Sequence, residues 1–297
     1  MSQLKFLPFA VWLGTGLLWG TTWVVIRIGL EEMAPFTFAA LRTVLAAVVL
    51  LAIAVLVDGR RRPPAAELGF WALVGIPQMG FPYALIFWAE QWVSAGLTAM
   101  LFATFPAFTA VAAHYMLRDE PLTAGKVSGS LLALVAVALL VSPSQSVAMP
   151  LAAPAGILLA SVSASLGAVV VRRHGRSTST VWLTAIQVTS AALFLSVLAL
   201  LFERGEPFHL STSVILAIVY LALAVTVGCY LGLFWLLKRL DATFVSMGVI
   251  FETSVGVFLG ALVLSEPLGV RVFAGLALVG VSVYLVTVKR RGVTVVV

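Results

Sequence analysis

Charge is what this sequence has least of. Asp, Glu, Lys and Arg together make up 10% of its 297 residues, where a soluble domain carries about a quarter. So little charged surface excludes a monomer dissolved in water. Cysteine is almost absent: Cys229 stands alone, which excludes an internal disulfide and a cysteine-based metal cluster. Lying in an apolar run, it reads as a small packing residue. The histidines His114, His174 and His209 lack metal-ligand spacing, so neither a metal nor a cofactor is expected. There is no H-E-x-x-H, no phosphate-cradling Gly-Lys loop and no pair of acids within the apolar runs. An intramembrane enzyme and an ATP-driven pump both lose their footing. A sensor or scaffold would not require the repeats and broken helices described below.

What fills the chain instead is apolar: 62% hydrophobic residues and a mean hydropathy of +1.12. A helix needs about 20 apolar residues to cross a bilayer. Such runs fall at 9–30, 36–57, 68–89, 95–117, 123–141, 151–171, 180–201, 213–236, 242–264 and 270–288. The first follows Lys5 but lacks a convincing A-x-A site, so it reads as an uncleaved helix rather than a signal peptide. The expectation is an all-α membrane protein with ten transmembrane helices and no separate soluble domain.

The net charge of +6 is scattered in loop clusters, which argues against a nucleic-acid partner. With the N-terminus inside, 14 of the 18 Lys and Arg fall in inner loops and tails, including Arg60, Arg61, Arg62, Arg118, Lys126, Arg172, Arg173, Arg176, Lys238, Arg239, Lys289, Arg290 and Arg291. Only Arg204 and Arg271 fall outside, while Arg27 and Arg42 lie within spans. That bias predicts both termini in the cytoplasm.

Tyr83, Phe87 and Trp88 are matched 147 residues on by Tyr230, Phe234 and Trp235. Glu120-Pro121 and Gly129 are matched at 146 by Glu266-Pro267 and Gly275, as Arg27 and Gly29 are by Arg173 and Gly175. Two halves follow, 1–146 and 147–297. Each holds five helices, an odd number, so the second must be inverted in the membrane.

These features resemble the drug/metabolite transporter superfamily, and within it the ten-helix EamA-domain exporters, over essentially the whole chain. The local carriers are Trp19-Gly20-Thr21-Thr22, Leu117-Arg118-Asp119-Glu120-Pro121, Leu237-Lys238-Arg239-Leu240-Asp241-Ala242, Phe251-Glu252 and Leu264-Ser265-Glu266-Pro267-Leu268. The resemblance implies a bacterial-type inner-membrane exporter of small metabolites, with amino-acid exporters, and an aromatic amino-acid branch, as the suggested neighbours. Where the family often has Glu-Pro in the ninth span, this chain has Glu252-Thr253, which puts a kink there in doubt. The expected partners are a small-molecule substrate and the bilayer, and a monomer is compatible with this reading.

Glu252 is the one acid placed deep in a span, where an ionisable side chain is costly and is by default a functional candidate. It could hold a substrate ammonium or a coupling proton, or pair with a neighbouring polar group. Arg42 could meet a carboxylate, pair with Glu252, or snorkel to the outer interface. Arg27 reads as an interfacial anchor. Trp19, Tyr83 and Tyr230 lie deep enough to line a pocket, with Phe87 and Phe234 beside them, whereas Trp88 and Trp235 read as belt residues. Pro77 and Pro82 should open the third helix around Gln78, and Pro106 should kink the fourth. Gly16-x-x-x-Gly20, Gly256-x-x-x-Gly260 and the series Ser161, Ser163, Ser165 read first as close-packing signals. The substrate-binding set expected is Trp19, Gln78, Tyr83, Tyr230 and Glu252, with Arg42, Phe87, Phe234 and Ser163 as additions. Multidrug efflux of organic cations through the same pocket is the alternative.

Overall fold

In hydrocarbon the backbone must satisfy its own hydrogen bonds, so a chain this apolar has little choice but helix. The computed structural model describes residues 3–140, 150–206 and 209–287, and among them there is no strand. We number the helices α1 Gln3–Gly29, α2 Pro35–Asp58, α3 Ala65–Ala89, α4 Ala95–Met116, α5 Ala124–Leu140, α6 Ala152–His174, α7 Thr180–Phe202, α8 Thr212–Leu237, α9 Ala242–Leu264 and α10 Val270–Thr287. All but α5 and α10 are long and apolar enough to cross a membrane, eight candidates among the described residues. Those two, of 17 and 18 residues, lie against one another, with Ser282 Oγ donating to the Gly129 carbonyl at 2.7 Å. Of the ten expected spans, eight are helices of spanning length among the described residues, while the runs at 123–141 and 270–288 form helices too short by length and composition to count as spans. Both short helices end beside residues outside the described set, and Lys289, Arg290, Arg291 and most of the 142–154 connector lie outside it.

Helix starts leave backbone N–H groups without intrahelical acceptors. Ser94, Ser179 and Ser211 cap their own helices. Ala34 and Asp241 do not cap theirs, and distant carboxylates serve instead. Glu120, just beyond α4, accepts from the N–H groups of Ala242 and Thr243 at 2.8 and 3.1 Å and from the Thr243 hydroxyl at 2.6 Å. Glu266, just beyond α9, accepts from Ala95 and Gly96 N–H at 2.7 and 2.9 Å. In the same way Glu203, following α7, accepts from Phe36 and Thr37 N–H at 2.8 and 2.7 Å. Asp58, closing α2, accepts from the Ser179 hydroxyl and, through its carbonyl, from Trp182 Nε1. In each pair the end of one helix meets the start of the other. So α4 runs antiparallel to α9, and α2 antiparallel to α7.

The glycine motifs act as expected. A Cβ on Gly16 would stand 2.8 Å from the Gly248 carbonyl, and one on Gly20 would stand 2.4 Å from Val255 Cβ, so α1 meets α9 backbone to backbone. Gly256 faces Trp23 and Ala99 at similarly short range.

Four helices are interrupted. In α3 a π-turn spans Ile76–Gly80, with Phe81 N–H donating to the Ile76 carbonyl five residues back. The next donor in that pattern would be Pro82, which has none, and Ser163 Oγ supplies the bond to the Pro77 carbonyl at 2.7 Å. A longer π-segment, Leu221–Cys229, opens α8 without any proline. There Thr226 Oγ1 returns a bond to the Leu221 carbonyl at 2.8 Å. Helix α4 breaks at Ala103–Thr104, just ahead of Pro106, as its sequence suggests. Helix α9 also breaks, at Met247–Gly248, even though it lacks the family's proline. The Trp12 indole donates to the Val245 carbonyl at 3.2 Å beside that break.

Candidate functional site

These interruptions converge. Between α1, α2, α3, α4, α6, α8 and α9 lies a cavity of about 90 Å³, walled by Phe102 and Phe105 from the α4 break and by Gly248 and Val249 from the α9 break. Trp19, Gln78, Tyr83, Tyr230 and Glu252 all line it, and so do Arg42 and Phe87. Of the nine candidates only Phe234 and Ser163 do not. Phe234 is fully buried behind Tyr230, with ring centroids 5.8 Å apart. Ser163 is occupied with the Pro77 carbonyl, so its place is to hold the opened turn that presents Gln78.

The aromatic wall is continuous. Trp19 meets Tyr230 edge-on at 5.5 Å, and Tyr230 meets Tyr83 at 6.4 Å. The Arg42 guanidinium then lies 4.5 Å over the Tyr83 ring and 5.5 Å from that of Phe87. Arg42 therefore turns inward rather than snorkelling: it is 1% exposed. Its Nη2 donates to Thr226 Oγ1 at 2.9 Å and to Tyr83 Oη at 3.2 Å, while Nε and Nη1 have no partner. Thr226 was invisible as a site neighbour in the sequence, because a lone threonine in an apolar run carries no signal of its own.

Glu252 sits in the first turn of the helical segment Val249–Leu264. The positive end of a helix dipole favours an acid there. It is 7% exposed, and its carboxyl makes no hydrogen bond or ion pair with any described residue. The pairing with Arg42 that the sequence allowed does not form. A charged side chain at the bilayer centre is disfavoured by about 2.5–3.5 kcal/mol on insertion scales. Two such residues lining one cavity are hard to explain as packing.

Glu252 is not the only deeply buried acid. Glu90, one residue beyond the apolar run 68–89, is 0% exposed, and both its carboxylate oxygens lack partners. Arg27 reaches the main-chain carbonyl of Glu90, so this arginine is tied to the protein rather than acting only as an interfacial anchor. Gln78 is also buried, its Oε1 without a partner and packed against Gly167 of α6. Trp88 and Trp235 stay partly exposed, in keeping with a belt, and Trp235 is covered by Arg239 at 4.1 Å. Among the described residues no His, Cys, Asp and Glu group has the arrangement of a metal site.

At one end of the bundle the ionic contacts cluster. Arg172 meets Asp119 at 3.1 Å, Asp241 at 3.8 Å and Glu120 at 3.9 Å, tying the ends of α4 and α6 to the start of α9. On the same face Lys238 donates to the Thr178 carbonyl. Burial, and then Arg239 beside it, push the Lys238 ammonium down to about 8 from 10.5.

Long apolar helices interrupted around a central cavity lined by buried ionisable groups define a multi-pass membrane protein built to admit a small solute. The chain belongs to the EamA-like transporter family, whose model matches residues 8–142 and again 152–288. It is 24% identical to an uncharacterised transporter, YoaV, of Bacillus subtilis, over 93% of this chain and 96% of that one. An uncharacterised transporter of Archaeoglobus fulgidus is 26% identical, over 93% and 97% of the two chains. Protein PagO of Salmonella typhimurium is 26% identical over 74% and 71%. A crystal structure with 19% identity superposes with a TM-score of 0.71, covering 94% of this chain and 96% of that one, and shares its fold. A family of transporters implies a small-molecule substrate and embedding in the membrane.

Proposed function

We propose that this transporter exports small metabolites, amino acids above all and aromatic ones among them, by alternating access around the central cavity. The observation that carries this reading is the cavity itself, walled from both halves of the chain and lined by Arg42 and Glu252. Residues 1–146 and 147–297 act as two inverted five-helix units. The reciprocal caps support that plan, since Glu120 of the first half holds the start of α9 and Glu266 of the second holds the start of α4. So do the π-turns in α3 and α8 and the breaks in α4 and α9. Irregular backbone at membrane depth is tolerated where it lines a cavity, and inverted repeats place their sites at such breaks. The excess of Lys and Arg on one side supports cytoplasmic termini, and the outward direction rests on the family resemblance.

Substrate is held by Trp19, Gln78, Tyr83, Tyr230 and Glu252, with Arg42 and Phe87 completing the wall. Phe234 and Ser163 support that wall from behind. A second reading, efflux of organic cations, draws on the aromatic faces beside an acid, since cations are attracted to both. Uptake of labelled amino acids into liposomes holding the purified protein, with organic cations as competitors, separates the two. Saturable amino-acid movement that cations do not inhibit supports the first. Movement of cations alone overturns it in favour of the second.

A further inference from the structure

The cavity has two ionisable poles, the Arg42 guanidinium and the Glu252 carboxyl, which form no ion pair with each other. At one, Arg42 spends a single nitrogen on Thr226 and Tyr83, and its Nε and Nη1 are unpartnered at 1% exposure. At the other, the Glu252 carboxyl has no hydrogen-bond or ionic partner among the described residues. Both line the same cavity, on helices α2 and α9. Glu90, a further buried acid, is not part of that lining and, although near enough to feel Arg27 and Arg42, forms no ion pair with Arg42. A guanidinium stays charged and presents a planar fork matched to a carboxylate. Leaving it unpaired inside a membrane protein is unfavourable, and so is leaving Glu252 unpaired. Simple neutralisation would be met by direct contact between the two, which the structure does not make.

Resting on the reading of this cavity as the transport site, we infer that Arg42 is a specificity-determining residue that receives the substrate's carboxylate. Glu252 receives its ammonium, so that the site selects a zwitterion. Tyr83 and Tyr230 line the same cavity in ring contact with each other, Tyr83 beneath the Arg42 guanidinium, and the solute's side chain and backbone carbons would lie against these aromatic faces. A site of this kind discriminates sharply, because a solute lacking either charge leaves a buried group unpaired. An organic cation satisfies Glu252 but adds a second positive charge beside Arg42, and is therefore rejected.

The test uses full-length protein in liposomes. The amino acid that moves fastest among the twenty is compared with its amide, which lacks the carboxylate, and its deaminated acid, which lacks the ammonium. In the unmodified protein each analogue should bind and move at least tenfold less well than the parent. Arg42→Gln should lose the parent at least tenfold while sparing the amide, and Glu252→Gln should spare the deaminated acid. That crossed pattern is one that a merely structural role would not produce. Equal transport of amide and parent by the unmodified protein, a result independent of any variant's folding, would overturn the inference and leave the transporter reading standing. Transport of no amino acid at all would overturn both.

Discussion

Glu120 and Glu266, 146 positions apart, perform the same task at different helix starts: each carboxylate closes the exposed N-terminus of a helix that begins far away in the sequence. They are not equal in surroundings. Glu120 is 3% exposed and lies 3.9 Å from Arg172, whereas Glu266 is half-buried. Replacing either with Gln should destabilise the fold by about 0.5–2 kcal/mol, the usual range for a lost helix cap. Glu120→Gln should fall at the upper end, because it also weakens the Arg172 cluster. Thermal unfolding in detergent checks this. The double variant should be additive to within about 0.5 kcal/mol if the two caps are independent.

Ser163 supplies the bond that Pro82 cannot make to the Pro77 carbonyl. Ser163→Ala should therefore leave a buried acceptor open, a loss of about 1–3 kcal/mol. It should also loosen the turn that carries Gln78. A lower melting temperature together with a raised KM is the expected result; a change in neither would mean that the carbonyl finds another donor.

Gly20 and Gly14 lie on the same helix and should behave oppositely. A methyl group at Gly20 meets Val255 Cβ at 2.4 Å and the Glu252 carbonyl at 2.8 Å, while one at Gly14 meets nothing within 4 Å. Gly20→Ala should destabilise by about 1–3 kcal/mol through overpacking and should impair transport by pushing α9 and Glu252 aside. Gly14→Ala should stay within about 0.5 kcal/mol of the parent, as at an open surface position.

Lys238 carries a pH signature. Its value of about 8 in the folded protein lies below the 10.5 of a free lysine, so the unfolded chain binds this proton more tightly. Stability should therefore be depressed below pH 8 and rise as the pH climbs from about 8 to 10.5. Lys238→Met should flatten that rise when unfolding is followed across the same window.

Much of this was legible in the sequence because membrane folding is governed by length, apolarity and repeats. The helices fall where the apolar runs lie, and the matched spacing of Glu120-Pro121 and Glu266-Pro267 read as a repeat, while their role as caps of distant helices shows only in the folded chain. Trp19, Gln78, Tyr83, Tyr230 and Glu252, picked out as polar or aromatic residues deep in apolar runs, are brought by the fold to the lining of one cavity. What escaped depended on tertiary contact. The π-segment of α8 has no proline to announce it, and its freed carbonyl is met by Thr226 within an apolar run. Glu90 follows Ala89 at a helix end, where only the packing of neighbouring helices decides that it is buried. The break in α9 arises at Met247–Gly248, ahead of the position where a proline was missed.

The central claim is that Glu252 and its cavity carry the solute. The most direct measurement is saturable uptake of a panel of labelled amino acids by liposomes containing the parent protein or Glu252→Gln, matched for incorporated protein and melting temperature. The account predicts uptake by the parent and at least a tenfold loss in the variant at every pH examined. Undiminished uptake by Glu252→Gln would contradict it and move the transport site elsewhere in the bundle.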